Sequence, residues 1–159
     1  MRRFLLLALI PLASPACPLG PKEETLTLAR VMRNFGRYLN PADLAVFHGR
    51  GSPEAVPDSE LRAVVDNLKL AESCARIASE DRGGTLYPSK ADSLSGAARD
   101  AYLNLFWSRM RDFLAGLEEY ERLFAGMLAQ PAPQRDFDAA KAQMDRVRDL
   151  ASKAHESLQ

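Results

Sequence analysis

Apolar residues recur at intervals of three and four along most of this chain, which is the spacing of amphipathic α-helices. The longest such run lies between about residues 95 and 130 and has no interruption. Its apolar positions are Leu103, Phe106, Met110, Phe113, Leu117, Tyr120, Phe124 and Met127. No alternating run long enough for a β-strand accompanies it, and no segment repeats another. The pattern therefore predicts an all-α protein.

A first helix is predicted over residues 23–40. Its apolar stripe consists of Leu28, Met32, Phe35 and Leu39, with Val31 and Tyr38 beside it. Pro41 should end this helix, because proline has no backbone N–H to donate and its ring clashes with the preceding turn. Residues 41–57 contain two further prolines and two glycines. They are predicted to form a connection with no more than one helical turn, at residues 42–47.

A second helix is predicted to begin near Asp58 or Ser59, since either side chain is a good N-cap, and to end at Gly83 and Gly84. Its apolar positions are Leu61, Val64, Val65, Leu68, Ala71, Ala75 and Ala78. Gly83 and Gly84 are followed by a loop that reaches the long run described above. The second helix is therefore separate from that run.

The last helix should follow Pro131 and Pro133, with Asp136 as its N-cap. Its apolar positions are Phe137, Ala140, Met144, Val147, Ala151 and Ala154. Four amphipathic helices, each with one stripe to bury, pack most simply as an antiparallel up-down-up-down four-helix bundle. In that bundle the start of the first helix lies level with the end of the last.

Residues 1–16 have the three parts of a secretory signal: two early arginines, an apolar run at residues 4–13 and small residues before a cleavage point after Ala16. The run is too short for a membrane-spanning helix, which needs about 20 apolar residues. We expect a signal peptide at 1–16, a four-helix bundle domain at 17–159, and an exported, periplasmic protein.

The two cysteines leave alternatives open. Cleavage after Ala16 would make Cys17 the first residue, the position that bacterial lipoproteins acylate, although Ser14 stands where a lipobox usually has leucine. Ordinary cleavage and lipid attachment at Cys17 both stay open, and a lipid would be the only membrane anchor. Cys74 lies among apolar helix positions, which favours a buried free thiol over a Cys17–Cys74 disulfide.

Composition narrows the chemistry. The chain has 21 basic and 21 acidic side chains, or 19 and 21 once Arg2 and Arg3 are removed, so nucleic acid is not an expected partner. Common catalytic and phosphate-binding motifs are absent, and two histidines are too few for a site with three imidazoles. Ser152 stands where a carboxylate-bridged metal pair would need glutamate before His155. We expect a protein that is not an enzyme.

His155 is the side chain with the clearest chemical potential. It lies four residues after Ala151 and three before Leu158, so it belongs to the inward edge of the last helix although it is polar. Met32, in the first helix, is expected at the same end of the bundle, and a thioether with an imidazole can ligate a haem iron. Core packing of Met32 and solvent exposure of His155 are the alternatives. His48 is expected to be a solvated loop residue.

Four features of the chain form a pattern: the apolar spacing around Met32, Leu-Tyr-Pro at residues 86–88, the opening of the last helix at residues 135–141, and His155 close to the C-terminal end. In these features the chain resembles the cytochrome b562 group of four-helix bundle cytochromes. The resemblance implies that Met32 and His155 ligate a haem iron. Many relatives also carry Cys-x-x-Cys-His, but here alanine occupies both cysteine positions. Any haem is therefore expected to be haem b, held non-covalently.

Three further residues are candidates for contact with the haem. Ala151 is small enough to leave space for a porphyrin, and Phe35 and Phe106 either face the macrocycle or belong to the core. We expect an exported electron-transfer protein that serves unidentified redox protein partners. The alternative is a haem-free exported four-helix bundle, a structural or protein-interaction module with or without a lipid at Cys17. A bundle that senses a small ligand or a metal is a third hypothesis.

Overall fold

The computed structural model describes residues 27–80 and 86–156. These residues form four α-helices: α1 (Leu28–Gly51), α2 (Asp58–Ser79), α3 (Gly96–Leu128) and α4 (Phe137–Glu156). Short 3₁₀ turns lie in the connections, and no residue of the described ranges is in a β-strand. The prediction of an all-α protein with four helices is confirmed.

The long helix α3 supplies much of the core. All eight apolar positions predicted from its sequence are buried. Phe106, Phe113, Tyr120 and Phe124 are among the largest fully buried side chains of the described residues. Burial of a side chain of this size stabilises the fold by roughly 1.5–3 kcal/mol relative to exposure. Helix α3 therefore supplies a large part of the core, and it packs chiefly against α2 and α4.

Helix α1 continues past Pro41, so the prediction that Pro41 ends it was wrong. The helix runs on to Gly51, and only residues 52–57 connect it to α2. The reason is tertiary: Ala42, Ala45 and Val46 beyond the proline are all buried, and this packing offsets the hydrogen bond that proline cannot make. His48 is exposed, as expected, but it lies in the last turn of α1 rather than in a loop.

Helix α1 carries two apolar edges. Val31, Phe35 and Tyr38 are buried in the core, whereas Met32 and Leu39 are only half-buried. The core-facing line of α1 is thus rotated from the stripe that the sequence suggested. Helices α1 and α4 make the fewest contacts of the four neighbouring helix pairs, so the second edge of α1 faces a gap.

The predicted ends of α2 and α4 are only partly correct. Helix α2 begins at Asp58 as expected, but its N-cap is Pro57 and no side chain caps it. It ends at Ser79, earlier than predicted, and residues 83 and 84 lie outside the described residues. At the start of α4 the prediction is confirmed, because the Asp136 carboxylate accepts a hydrogen bond of 2.8 Å from the backbone N–H of Ala139.

Arg135 joins the α3–α4 connection to the α1–α2 connection at one end of the molecule. Its side chain is buried, with Nε donating to the carbonyl of Met127 at 3.3 Å and one terminal nitrogen donating to the carbonyl of Val56 at 2.7 Å. The other terminal nitrogen forms an ion pair with Asp58. The guanidinium thereby satisfies polar groups at the end of α3, before α2 and within α2.

Cys74 is fully buried on α2 and is disulfide-bonded, so the expectation of a free thiol was wrong. Apolar spacing along a helix predicts that a cysteine is buried. It does not predict whether that cysteine forms a disulfide with a cysteine elsewhere in the sequence. The chain has one other cysteine, Cys17. Cys17 and the predicted signal at residues 1–16 lie outside the described residues. Among the helices that the structure describes, none combines the length and apolar character needed to span a membrane.

Candidate functional site between α1 and α4

A surface groove of about 600 Å³ lies between α1 and α4. We call it the Met32 groove. Its α1 wall includes Met32, Phe35, Gly36 and Leu39, and its α4 wall includes Ala151 and His155. The groove follows from the second apolar edge of α1, because α4 does not cover that edge.

Four of the five residues predicted to contact a ligand line this one groove. Met32 and Phe35 come from α1, and Ala151 and His155 come from α4. Met32 and Ala151 are half-buried, whereas His155 is exposed in the last turn of α4. A thioether and an imidazole therefore border the same concave surface.

Phe106 is the fifth predicted residue, and it does not line the groove. It is fully buried on α3 within the core. The aromatic side chain behind the groove is Phe113, whose ring meets that of Phe35 edge-on with 4.8 Å between centroids. Phe113 thus supports the groove wall through Phe35, while Phe106 packs elsewhere in the core.

Gly36 is a lining residue that the sequence reasoning missed. A Cβ atom built on Gly36 would have no other atom within 4 Å, so this position opens onto the groove. Glycine inside a helix costs about 1 kcal/mol relative to alanine. A mid-helix glycine four residues after Met32, on the same edge, was the sequence signal that pointed to open space here.

The rim of the Met32 groove carries positive charge. Arg33 and Arg148 both line it and both are exposed. Arg148 donates to the Asp43 carboxylate at 2.7 Å, and this hydrogen bond raises the pKa of Arg148 above its ordinary value. The groove therefore combines an apolar floor with a cationic edge, which suits an apolar ligand that carries carboxylates.

The groove offers two potential metal donors, Met32 and His155. No group of three or more His, Cys, Asp or Glu side chains that could hold a metal occurs within residues 27–80 and 86–156. Met32 and His155 offer only one sulfur and one imidazole, which is too few for a structural metal site. The porphyrin supplies the remaining ligands of a haem iron, so two axial donors suffice.

A second groove, of about 430 Å³, lies further along the same two helices. We call it the Phe47 groove. Its lining residues are Asp43, Val46, Phe47, Arg50, Gly51, Lys141, Met144 and Arg148. Sequence reasoning missed it because it assigned residues 41–57 to a connection, and this groove needs the helix beyond Pro41.

Comparison of the chain with known proteins identified no similar protein. No protein-family model matches the chain, and neither a curated protein nor a solved structure matches it. The two grooves are therefore interpreted from the residues that form them.

Proposed function

We propose that this protein is an exported electron-transfer protein that binds haem b non-covalently in the Met32 groove, with Met32 and His155 as axial ligands. The observation that carries the proposal is that these two donors, on different helices and far apart in sequence, line one groove. Phe35 and Ala151, also predicted for the site, line it with them. On this proposal the protein transforms no substrate.

Each side chain of the groove has a distinct part in the proposal. Met32, Phe35 and Leu39 form an apolar wall that excludes water from one face of the ligand. Ala151 keeps the opposite wall low enough for a flat macrocycle. When bound, haem supplies one-electron redox chemistry, and its ligation by Met and His raises the reduction potential.

The cationic rim also suits this ligand. Arg33 and Arg148 stand at the edge of the groove, where the two propionates of haem would leave the apolar floor. Because both guanidinium groups are exposed, each contributes only modestly to affinity. Their main effect is to favour one orientation of the macrocycle.

The proposal is tested by titrating the mature protein with haem and recording absorption spectra in the oxidised and reduced states. We expect saturation at one haem per chain and the spectrum of a six-coordinate Met/His complex. His155→Ala should abolish that spectrum, and Met32→Ala should open a coordination site and lower the reduction potential. An unchanged spectrum in either variant would remove that residue from the ligand set.

Gly36→Leu provides a steric test that leaves both ligands in place. Its side chain would extend into open space in the Met32 groove, so we expect haem affinity to fall by at least about tenfold with little loss of stability. Gly126→Leu is the matched control, since a Cβ atom at Gly126 on α3 would also have no other atom within 4 Å. Equal haem affinity in the two variants would place the haem outside this groove.

We also propose an antiparallel up-down-up-down arrangement of the four helices. The support is the order of the contacts between neighbouring helices. As the residue number rises along one helix, the number of the residue that it contacts in the other helix falls. These contacts are Lys69–Glu121 and Arg76–Glu118 for α2 with α3, Gly116–Gln143 and Arg109–Lys153 for α3 with α4, and Asp43–Arg148 and Arg50–Asp138 for α1 with α4. This arrangement puts Met32 level with His155.

Export is supported by the disulfide at Cys74, since disulfides persist in oxidising compartments. A Cys17 thiol that carries a lipid cannot also form a disulfide. A bond between the two cysteines of one chain would therefore favour ordinary signal cleavage over lipid attachment. The intact mass of the exported protein, measured with and without reductant, distinguishes an acylated N terminus from an unmodified one.

The rival function is a haem-free exported bundle that binds another protein. It is favoured by Leu44 and Phe47, two large apolar side chains of α1 that are 48% and 76% exposed. A titration in which haem shows no saturable binding would leave this rival as the function to pursue.

A further inference from the structure

The Phe47 groove shares one lining residue, Arg148, with the Met32 groove, and the proposed haem site uses none of its other residues. Phe47 is the most exposed large apolar side chain of the described residues, at 76%. Beneath it, Val46 is fully buried and Met144 nearly so, and all three line the groove. Phe47 therefore supplies most of the apolar surface that water covers in the groove unless a ligand does, and Val46 and Met144 form the floor beside it.

Charge is distributed unevenly along the groove. Arg50 and Lys141 line the end next to Gly51, whereas the opposite end is formed by Asp43 and its ion pair with Arg148. Three cationic side chains but only one carboxylate line the groove. An anionic group is thus favoured at the Arg50 and Lys141 end and disfavoured next to Asp43.

The cations at that end are available to a ligand. Arg50 contacts Asp138 at 2.7 Å and Lys141 contacts Asp145, but neither carboxylate lines the groove. Both ion pairs are exposed, and an exposed ion pair contributes about 0–1 kcal/mol to the stability of a folded protein. The two side chains can therefore turn towards a ligand at small cost in free energy.

We propose that the Phe47 groove binds a free medium-chain fatty acid anion. Its carboxylate accepts hydrogen bonds from Arg50 and Lys141, and its alkyl chain lies on Val46, Phe47 and Met144. The distance along α1 from Asp43 to Gly51 is about 12 Å, which matches an extended chain of that class. The ion pair between Asp43 and Arg148 borders the far end, which the uncharged end of the chain reaches.

The test uses the mature protein and the fluorescent fatty acid dansylundecanoate, displaced by decanoate. We expect saturable binding that Lys141→Glu and Phe47→Ser each weaken by about tenfold. The matched controls are Arg111→Glu, which reverses an exposed charge on α3, and Leu105→Ser, which removes an apolar side chain that is 49% exposed on α3. Both controls should bind the probe as the unmodified protein does.

Chain-matched competitors test the charge argument. Decanoate should displace the probe at concentrations about tenfold lower than decanol or decyltrimethylammonium require. The proposal is overturned if the probe shows no saturable binding, if decanol competes as well as decanoate, or if Lys141→Glu has no effect. Loss of binding in Gly36→Leu, with no change in Phe47→Ser, would assign the fatty acid to the Met32 groove instead.

Discussion

Glu72 illustrates how one side chain responds to its neighbours. It is half-buried on α2, and burial raises its pKa to about 7, with further contributions from the charges of Glu121 and Glu118 on α3. The unfolded carboxyl titrates near 4.5. Between these two pH values the folded protein binds a proton that the unfolded chain does not, so stability falls as the pH rises from about 4.5 to 7.

Glu72→Gln should remove this dependence. The full pKa shift of Glu72 would correspond to roughly 3 kcal/mol in the free energy of unfolding. Solvent screening of this half-exposed carboxyl reduces the expected effect to about 1 kcal/mol. We expect the variant to be more stable than the unmodified protein at pH 8 and about equal to it at pH 4, measured by urea unfolding. Glu80→Gln, at an exposed position, is the control. Parallel pH profiles for Glu72→Gln and the unmodified protein would contradict the assignment.

Removal of the Arg135 guanidinium should lower the stability of the fold. Arg135→Met keeps the apolar stem but leaves the carbonyls of Val56 and Met127 and the carboxylate of Asp58 without this donor. We expect a loss of about 2–3 kcal/mol in the free energy of unfolding. Arg146→Met, at an exposed position of α4, should change it by less than about 0.5 kcal/mol. Similar values for both variants would show that the contacts of Arg135 contribute little.

At the scale of elements, α1 and α4 pack tightly against each other near Gly49. A Cβ atom on Gly49 would lie 2.5 Å from the ring of Phe137, which is buried at the start of α4. The contact requires glycine here. Further along, the ion pair between Asp43 and Arg148 joins the two helices at the surface, and the two grooves lie between them.

Gly49→Ala should therefore destabilise the protein although alanine is the better helix former. We expect a loss of about 1–3 kcal/mol, because the ring of Phe137 must move in a packed environment. Gly126→Ala on α3 meets no atom and should raise stability by about 0.5–1 kcal/mol. Thermal unfolding of the two variants, followed by circular dichroism, gives opposite shifts in Tm if the contact is as described. A gain in Gly49→Ala would contradict it.

Pro41 shows why the extent of α1 was not predicted. Proline costs a helix interior about 3 kcal/mol by local criteria, so local reasoning ends the helix there. The apolar spacing nevertheless continues through Ala42, Ala45 and Val46, and this signal outweighs the proline once the three side chains are buried. The Phe47 groove was missed for the same reason.

At the scale of the whole molecule, the disulfide at Cys74 is a covalent restraint on the fold. A disulfide stabilises a fold chiefly by restricting the unfolded chain, typically by 2–4 kcal/mol. We expect reductant to lower the Tm of the exported protein, and Cys74→Ser to lower it equally whether reductant is present or not. Cys17→Ser should reproduce the effect if the bond lies within one chain. A Cys17→Ser variant that matches the unmodified protein would assign the bond to a second chain.

The candidate site was predictable in part. Met32, Phe35, Ala151 and His155 were brought together by helical spacing, an assumed antiparallel bundle and the family resemblance, and the structure places them along one groove. Phe106 belongs to the core, the alternative that spacing left open, because spacing does not tell which neighbour a buried ring faces. Gly36 and Arg33 were missed, since their significance depends on the gap that α4 leaves.

The amino-acid sequence by itself determined the all-α class, the four helices and the core positions of α3. The physical reason is local: a period of three to four residues places apolar side chains on one face wherever it occurs. Only the tertiary structure decided that α1 passes Pro41, that Cys74 is bonded, that Arg135 joins the α1–α2 and α3–α4 connections and that α1 and α4 leave grooves between them. These outcomes depend on contacts between segments that are distant in sequence, and a local pattern of residues does not contain that information.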